Sequence, residues 1–299
     1  RDLLAAMGRK AVEEDRMLVG ARHQRLVDEV ALERLGALRR LALLPHAGPD
    51  VRGDDVRPHD RFERDLAWTR YAHDELLAAL DRLPDRDFAG PSLLPGWTRA
   101  HVAAHLAHNA EGLGRLATWA ATGVETPMYP SAESRAAEIE ATAAHRPADI
   151  REKVAAASTH LVLRLDELPV AARGTEVQSL LPPRFPAALL PWQRVREVWV
   201  HLVDLAADEG FSAIPDEVAG ALLDEAAERS ILRGVEPAVA LVDDGGTWWQ
   251  LGEGLAATTL TGTRPALLGW LTGRGDPDAV VATGPDDAAV EVPAAPLWP

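Results

Sequence analysis

The chain contains no cysteine. Disulfides, thiolate metal ligands and a protein thiol nucleophile are therefore excluded, and any thiol chemistry must use a sulfur brought in from outside. Positive charge is scarce as well: 31 Lys and Arg stand against 46 Asp and Glu, a formal net charge of −15. A surface this acidic repels phosphate backbones and anionic lipid, which argues against nucleic-acid and membrane partners. No run of about 18 apolar residues free of charge occurs, so no membrane span is expected. The opening Arg1-Asp2-Leu3-Leu4 lacks the charged-then-apolar order of a secretory signal, and a cytoplasmic location is the expectation. Glycine (23) and proline (22) are too few among 299 residues to imply disorder. The 47% of hydrophobic residues can fill the core of one large or two medium domains.

Helical spacing dominates what is there. Residues 1–44 are rich in Ala, Leu, Arg and Glu, and read as one or two amphipathic helices. The Pro-, Gly- and Asp-rich stretch 45–60 reads as a linker, so residues 1–60 form an extension with no assigned function. From Arg61 the positions Leu66, Tyr71, Leu76, Leu77 and Leu80 predict a helix that stops near Leu83-Pro84. Pro95-Gly96 marks a turn and Thr98 an N-cap, opening a helix from Arg99 to Ala121 that Thr122-Gly123 ends. Further helices are expected over 132–144, 148–168 and 191–209, with Pro191 in a first turn. Four long helices joined by connections of varied length predict a bundle spanning 61–210. The texture then changes. A helix over 215–233 precedes short strands at 238–242, 247–251, 256–260, 279–282 and 288–292, with a helix over 263–272. Residues 211–299 thus form a second, smaller α+β domain, and the whole chain falls in the α+β class.

Two helical clusters carry the chemistry. One is His101-Val-Ala-Ala-His105-Leu-Ala-His108, and the other is Arg196-Glu197-Val-Trp-Val-His201. Groups three or four residues apart share one face of a helix, and two such faces can supply an N, N, O set for one divalent ion. Spacing does not choose among His101, His105 and His108. Glu197 sits among Val195, Val198, Trp199 and Val200, a segment too apolar for a free surface helix, and a buried carboxylate needs a partner. Asp204 could orient His201, but a solvent-facing or helix-terminal charge is the favoured reading of it. Arg194 and Arg196 are candidates for a substrate carboxylate or for surface salt bridges. In Gly273-Arg274-Gly275 the glycine reads as a helix C-cap, and the arginine as a group held at a turn and aimed at an anion. Trp248-Trp249 lies on a predicted strand, so the two rings point to opposite faces.

These residues bring a resemblance into view. Residues 61–299 resemble the mycothiol-dependent maleylpyruvate isomerase family, a branch of the DinB-like metal-binding bundles. The matching stretches are Leu94-Pro-Gly-Trp-Thr-Arg-Ala-His101-Val-Ala-Ala-His105, Thr122-Gly-Val-Glu-Thr-Pro-Met-Tyr129, Arg196-Glu197-Val-Trp-Val-His201-Leu-Val-Asp204-Leu and Gly273-Arg274-Gly275. The resemblance implies a four-helix bundle with a sterol-carrier-like second domain. It places the zinc ligands on His105, Glu197 and His201, and an active-site arginine on Arg274.

It also implies an activity: isomerisation of maleylpyruvate to fumarylpyruvate in gentisate-type aromatic degradation, with mycothiol and Zn2+ as cofactors and a small dicarboxylate as substrate. A thiolate would add to the alkene, leaving a single bond free to rotate, and would then be eliminated. Zinc would bind the sulfur and favour its deprotonation, while Arg274 would hold a carboxylate or the enolate. Two alternatives use the same site: a zinc and mycothiol-dependent S-transferase acting on another electrophile, and a binding protein without turnover.

Overall fold

Proline and threonine set the starts of the helices in the computed structural model, which describes residues 58–207 and 210–295. The helices expected before residue 45, and the linker up to residue 57, lie outside the described residues. Helix α1 (Pro58–Arg82) opens on a proline, whose missing N–H costs nothing in a first turn. It therefore begins three residues before the Arg61 that the hydrophobic pattern marks. Helix α2 (Arg99–Thr122) is capped as expected. The Thr98 hydroxyl accepts from the His101 backbone N–H, the His101 ring accepts from the Thr98 N–H, and Gly123 closes the other end at φ 74°.

Helix α3 (Ala132–Ala143) follows a Ser131 cap, and α4 (Pro147–Asp166) has proline in its first turn. A two-stranded antiparallel ribbon, β1 (Glu176–Val177) with β2 (Phe185–Pro186), lies between α4 and the next helix. Helix α5 (Leu190–Asp204) carries Pro191 in its first turn. It stops five residues short of the predicted end. Ala206 turns to φ 49°, and the Arg99 guanidinium takes the freed carbonyls of Leu205 and Ala206 at 2.7 and 3.0 Å. A side chain from another helix thus does the capping, which no local pattern reveals.

Helix α2 packs on α4, α5 and α3, while α1 packs on α5 and α4. Ala103, Ala104, Leu106 and Ala107 of α2 are all fully buried, the pattern of a helix enclosed on every side. Small alanines there let the neighbouring helices come close.

Helix α6 (Asp216–Arg233) leads into a four-stranded sheet of β3 (Val239–Asp243), β4 (Trp248–Leu251), β5 (Thr258–Gly262) and β6 (Val281–Thr283), in the order β4-β3-β5-β6. Strand β3 runs parallel to β5; the outer pairs are antiparallel. Helix α7 (Arg264–Leu271) links β5 to β6. The two tryptophans of β4 face opposite ways, Trp248 at 62% exposure and Trp249 at 6%. The strand predicted at 288–292 does not form: Thr283 and Ala289 make only an isolated bridge, across a turn with Asp287 at φ 56°. Seven α-helices and a four-stranded sheet among the described residues make an α+β protein. No helix among those residues is long and apolar enough to cross a membrane.

Candidate metal centre

Helices α2 and α5 face each other, and where they do so His105, Glu197 and His201 converge. His105 Nε2 lies 3.1 Å from Glu197 Oε2, and His201 Nε2 lies 3.7 Å from the same oxygen. One donor atom from each residue lies within 4.8 Å of the others. The two imidazoles meet edge to face with centroids 4.6 Å apart, and the Trp97 ring stands against His105 at 5.7 Å.

The three histidines of α2 part company here. His101 is turned back to cap its own helix and contacts Glu140 Oε2 at 3.0 Å. His108 contacts Thr142 Oγ1 at 2.8 Å and Glu111 Oε2 at 3.0 Å. Only His105 looks across to α5.

Burial sets the charge states. His105 is almost wholly enclosed, and the cost of placing a cation there pushes its pKa down to about 4, against the pull of the Glu197 carboxylate. The ring is therefore neutral at physiological pH. Burial favours the neutral acid of Glu197 too, but the hydrogen bond from His105, with His201 and Arg196 nearby, outweighs it and holds the group as carboxylate. A neutral imidazole donating to an ionised carboxylate is the arrangement these surroundings select.

Asp204, read from sequence as a solvent-facing or helix-terminal charge, is the last residue of α5 and is fully buried. Its Oδ2 accepts from His201 Nδ1 at 2.8 Å. This places a proton of His201 on Nδ1 and turns Nε2 toward Glu197. Arg274 arrives from the turn after α7 and grips the same carboxylate, Nε to Oδ1 at 2.7 Å and Nη2 to Oδ2 at 3.2 Å, while Nη1 donates to the Thr272 carbonyl at 3.0 Å. Burial raises the pKa of Asp204, and its bonds from His201 and Arg274 more than reverse this. The turn is held by close backbone approach: Gly275 N–H donates to Gly269 O at 2.8 Å, and a Cβ on Gly275 would lie 2.6 Å from Gly269 C.

Neither arginine beside Glu197 faces an open site. Arg194 is fully buried and donates to His73 Nε2, Leu106 O and Asn109 Oδ1, with no carboxylate in its hydrogen-bond shell. Burial lowers its pKa to about 10, leaving it a cation inside the helices one turn from Glu197. Arg196 forms the salt bridge weighed for it, 2.8 Å to Glu225 Oε1.

Two residues at the centre were not singled out for roles in the sequence. Arg135 of α3 donates through Nη2 to His105 Nδ1 at 3.0 Å. Its guanidinium also lies 5.7 Å from the Tyr129 ring. Tyr129 is buried, with the Arg135 guanidinium beside it. Burial pushes the Tyr129 hydroxyl's pKa up, with the adjacent Arg135 opposing. The Glu125-Thr-Pro-Met-Tyr129 stretch explains how the ring gets there. Arg115 Nε holds the Met128 carbonyl at 2.9 Å, and Gly112 leaves room for Met128, which a Cβ would meet at 2.8 Å.

A family model described as the mycothiol maleylpyruvate isomerase N-terminal domain matches residues 69–206. Two solved structures are similar along most of the chain: a crystal structure of the mycothiol-dependent maleylpyruvate isomerase, and one of a histidine-to-alanine mutant of it. Each is 31% identical, with a TM-score of 0.72, over 79% of this chain and 97% of the other. None of the curated proteins compared matches. With nearly the whole length of a solved member matched at that identity, the chain belongs to the mycothiol-dependent maleylpyruvate isomerase family.

Proposed function

We propose that this protein is a mycothiol-dependent isomerase that converts maleylpyruvate to fumarylpyruvate at a divalent metal site held by His105, Glu197 and His201. The observation that carries the reading is the convergence of one imidazole nitrogen from each histidine and a carboxylate oxygen within 4.8 Å. The donor chemistry fits a zinc-like ion. His105 is neutral, Glu197 is ionised and His201 turns its Nε2 toward that carboxylate, and three protein ligands leave a position open. Two nitrogens and an oxygen suit zinc, though other divalent ions accept the same set.

Held by His105, Glu197 and His201, the ion would favour the thiolate form of mycothiol, the sulfur nucleophile that a chain without cysteine lacks. The chain's own residues do the rest by placement. Asp204 orients His201, and Arg274 holds Asp204. Arg274 thus acts on the site through a carboxylate; the substrate contact that the family resemblance implies for it would draw it off Asp204. Trp97 walls one side of His105 and limits water there. We read the packing of α1, α2, α4 and α5 as a DinB-like four-helix bundle over 61–210, with the portion from α6 to β6 as the sterol-carrier-like domain over 211–299.

The test is an assay of purified, metal-loaded protein with maleylpyruvate, with and without mycothiol, following fumarylpyruvate by chromatography. Turnover is expected only with thiol and ion together, and is expected to vanish in His105→Ala while the far-UV spectrum stays unchanged. Metal-loaded protein without thiol-dependent turnover refutes the proposal.

A further inference from the structure

Glu225 of α6 meets α5, the helix that carries Glu197 and His201. Its Oε1 accepts from Arg196 Nη1 at 2.8 Å and lies 2.6 Å from Arg229 Nη2, while Oε2 accepts from Trp192 Nε1 at 3.1 Å. Gln193 Oε1 takes the other terminal nitrogen of Arg196, Nη2, at 2.5 Å. The Glu225 side chain is 13% exposed and that of Arg196 16%, so salt and water screen this pair little.

What these contacts achieve follows from what Arg196 would do without them. It directly precedes Glu197 in α5, near enough for its charge to act on that carboxylate. Elsewhere in this chain an arginine placed just before a buried acid on a helix folds onto it: Arg64 donates to Asp65 Oδ1 through Nε at 3.1 Å and Nη2 at 2.9 Å. Glutamate reaches one carbon farther than aspartate, so the same contact is open to Arg196 and Glu197. Both terminal nitrogens of Arg196 turn to Glu225 and Gln193 instead. A guanidinium gripping Glu197 would cover the oxygens through which that residue can ligate.

We propose that Glu225 is a positioning residue for the metal centre: it holds the Arg196 guanidinium away from Glu197 and so leaves that carboxylate to serve an ion. The inference rests on the metal site proposed above. Without the Glu225 charge, Arg229 still has Glu228 beside it on α6, whereas the carboxylate adjoining Arg196 is Glu197 itself.

The experiment is a double-mutant cycle read as the Zn2+ affinity of the purified whole chain, by competition with a chromophoric chelator. Glu225→Gln keeps the size and an acceptor for Trp192 but drops the charge. It is expected to weaken zinc binding by about 10-fold, the low end for losing a group that supports a ligand. Arg196→Gln alone is expected to stay within about 3-fold of wild type, and adding it to Glu225→Gln is expected to bring the affinity back to that level. If Glu225 only braced the fold, the double variant would bind zinc no better than Glu225→Gln. Should Glu225→Gln fail to fold, judged by far-UV circular dichroism, Gln193→Ala decides: it is expected to weaken zinc binding several-fold, and Arg196→Gln to restore it. Zinc binding that the folded variant of this pair leaves unchanged, or a loss that removing Arg196 does not restore, overturns the inference and leaves the metal site standing. A wild-type protein that binds no divalent ion overturns both.

Discussion

Replacing Asp204 by asparagine isolates one charge with almost no change of shape. The carboxylate is fully buried and accepts three hydrogen bonds, at 2.7 and 3.2 Å from Arg274 and 2.8 Å from His201. Asparagine offers one acceptor oxygen, and its amide nitrogen would face a donor. Arg274, 17% exposed, would keep a mostly buried charge without its counterion. Removing one partner of a buried pair costs ~3–5 kcal/mol, and the partial exposure of Arg274 argues for the low end, about 3 kcal/mol. At roughly 2–4 °C per kcal/mol for a domain of this size class, Tm should fall by about 6–12 °C. Urea unfolding of the metal-free protein at pH 7 measures this directly, with an unchanged m-value showing that the unfolded state is not the cause. Zinc affinity should drop by about 10–100-fold as His201 loses its fixed proton. If Asp204 and Arg274 act through each other, Asp204→Asn with Arg274→Gln should cost less than the two singles summed. An Asp204→Asn protein within about 0.5 kcal/mol of wild type, with unaltered zinc affinity, would refute this account of the carboxylate.

Other consequences are as direct. The folded-state pKa of His105, about 4, lies below its ordinary 6.5, so the unfolded chain binds more protons between those values. The metal-free protein should hold its full stability above pH 6.5 and lose on the order of 3 kcal/mol of it as pH falls toward 4, and His105→Gln should flatten that part of the urea-midpoint profile. Glu111, held down to about 2 chiefly by the hydrogen bond with His108, adds a further loss below pH 4.5, damped by its partial exposure. Gly275→Ala would place a Cβ 2.7 Å from Gly269 Cα, backbone against backbone, and should cost about 1–3 kcal/mol in thermal unfolding. In β4, Trp248→Ser should change stability by less than about 0.5 kcal/mol, whereas Trp249→Ala should cost about 3–5 kcal/mol in the same assay.

Local signals read from the sequence survived wherever the cause was local. The Thr98 cap, the Gly123 stop and the alternation of Trp248 with Trp249 all depend on neighbours within a few positions. The end of α5 was misjudged because Arg99, more than 100 positions away, takes its last carbonyls. The absent strand at 288–292 has the right composition, but only one bridge pairs it with β6. At the site, spacing placed His101, His105 and His108 on one face, and only the packing of α5 against that face shows which of them looks across. Asp204 does end α5 and does touch His201, but an i, i+3 relation says nothing about burial, so the solvent-facing option could not be set aside from sequence. Arg135 carried no signal of its own: a lone arginine on an alanine- and glutamate-rich helix reads as a solvated charge, and its meaning comes from the Nδ1 it touches.

The hold of Arg274 on Asp204 bridges 70 positions of chain, while the matched stretch of the family model closes at residue 206. A fragment trimmed at that border would keep every proposed ligand yet strand an anion in apolar surroundings, its counterion severed. Grafting the helical half onto a different C-terminal partner should therefore succeed only if the newcomer brings an arginine to the same spot, making these halves less interchangeable than their separate architectures imply.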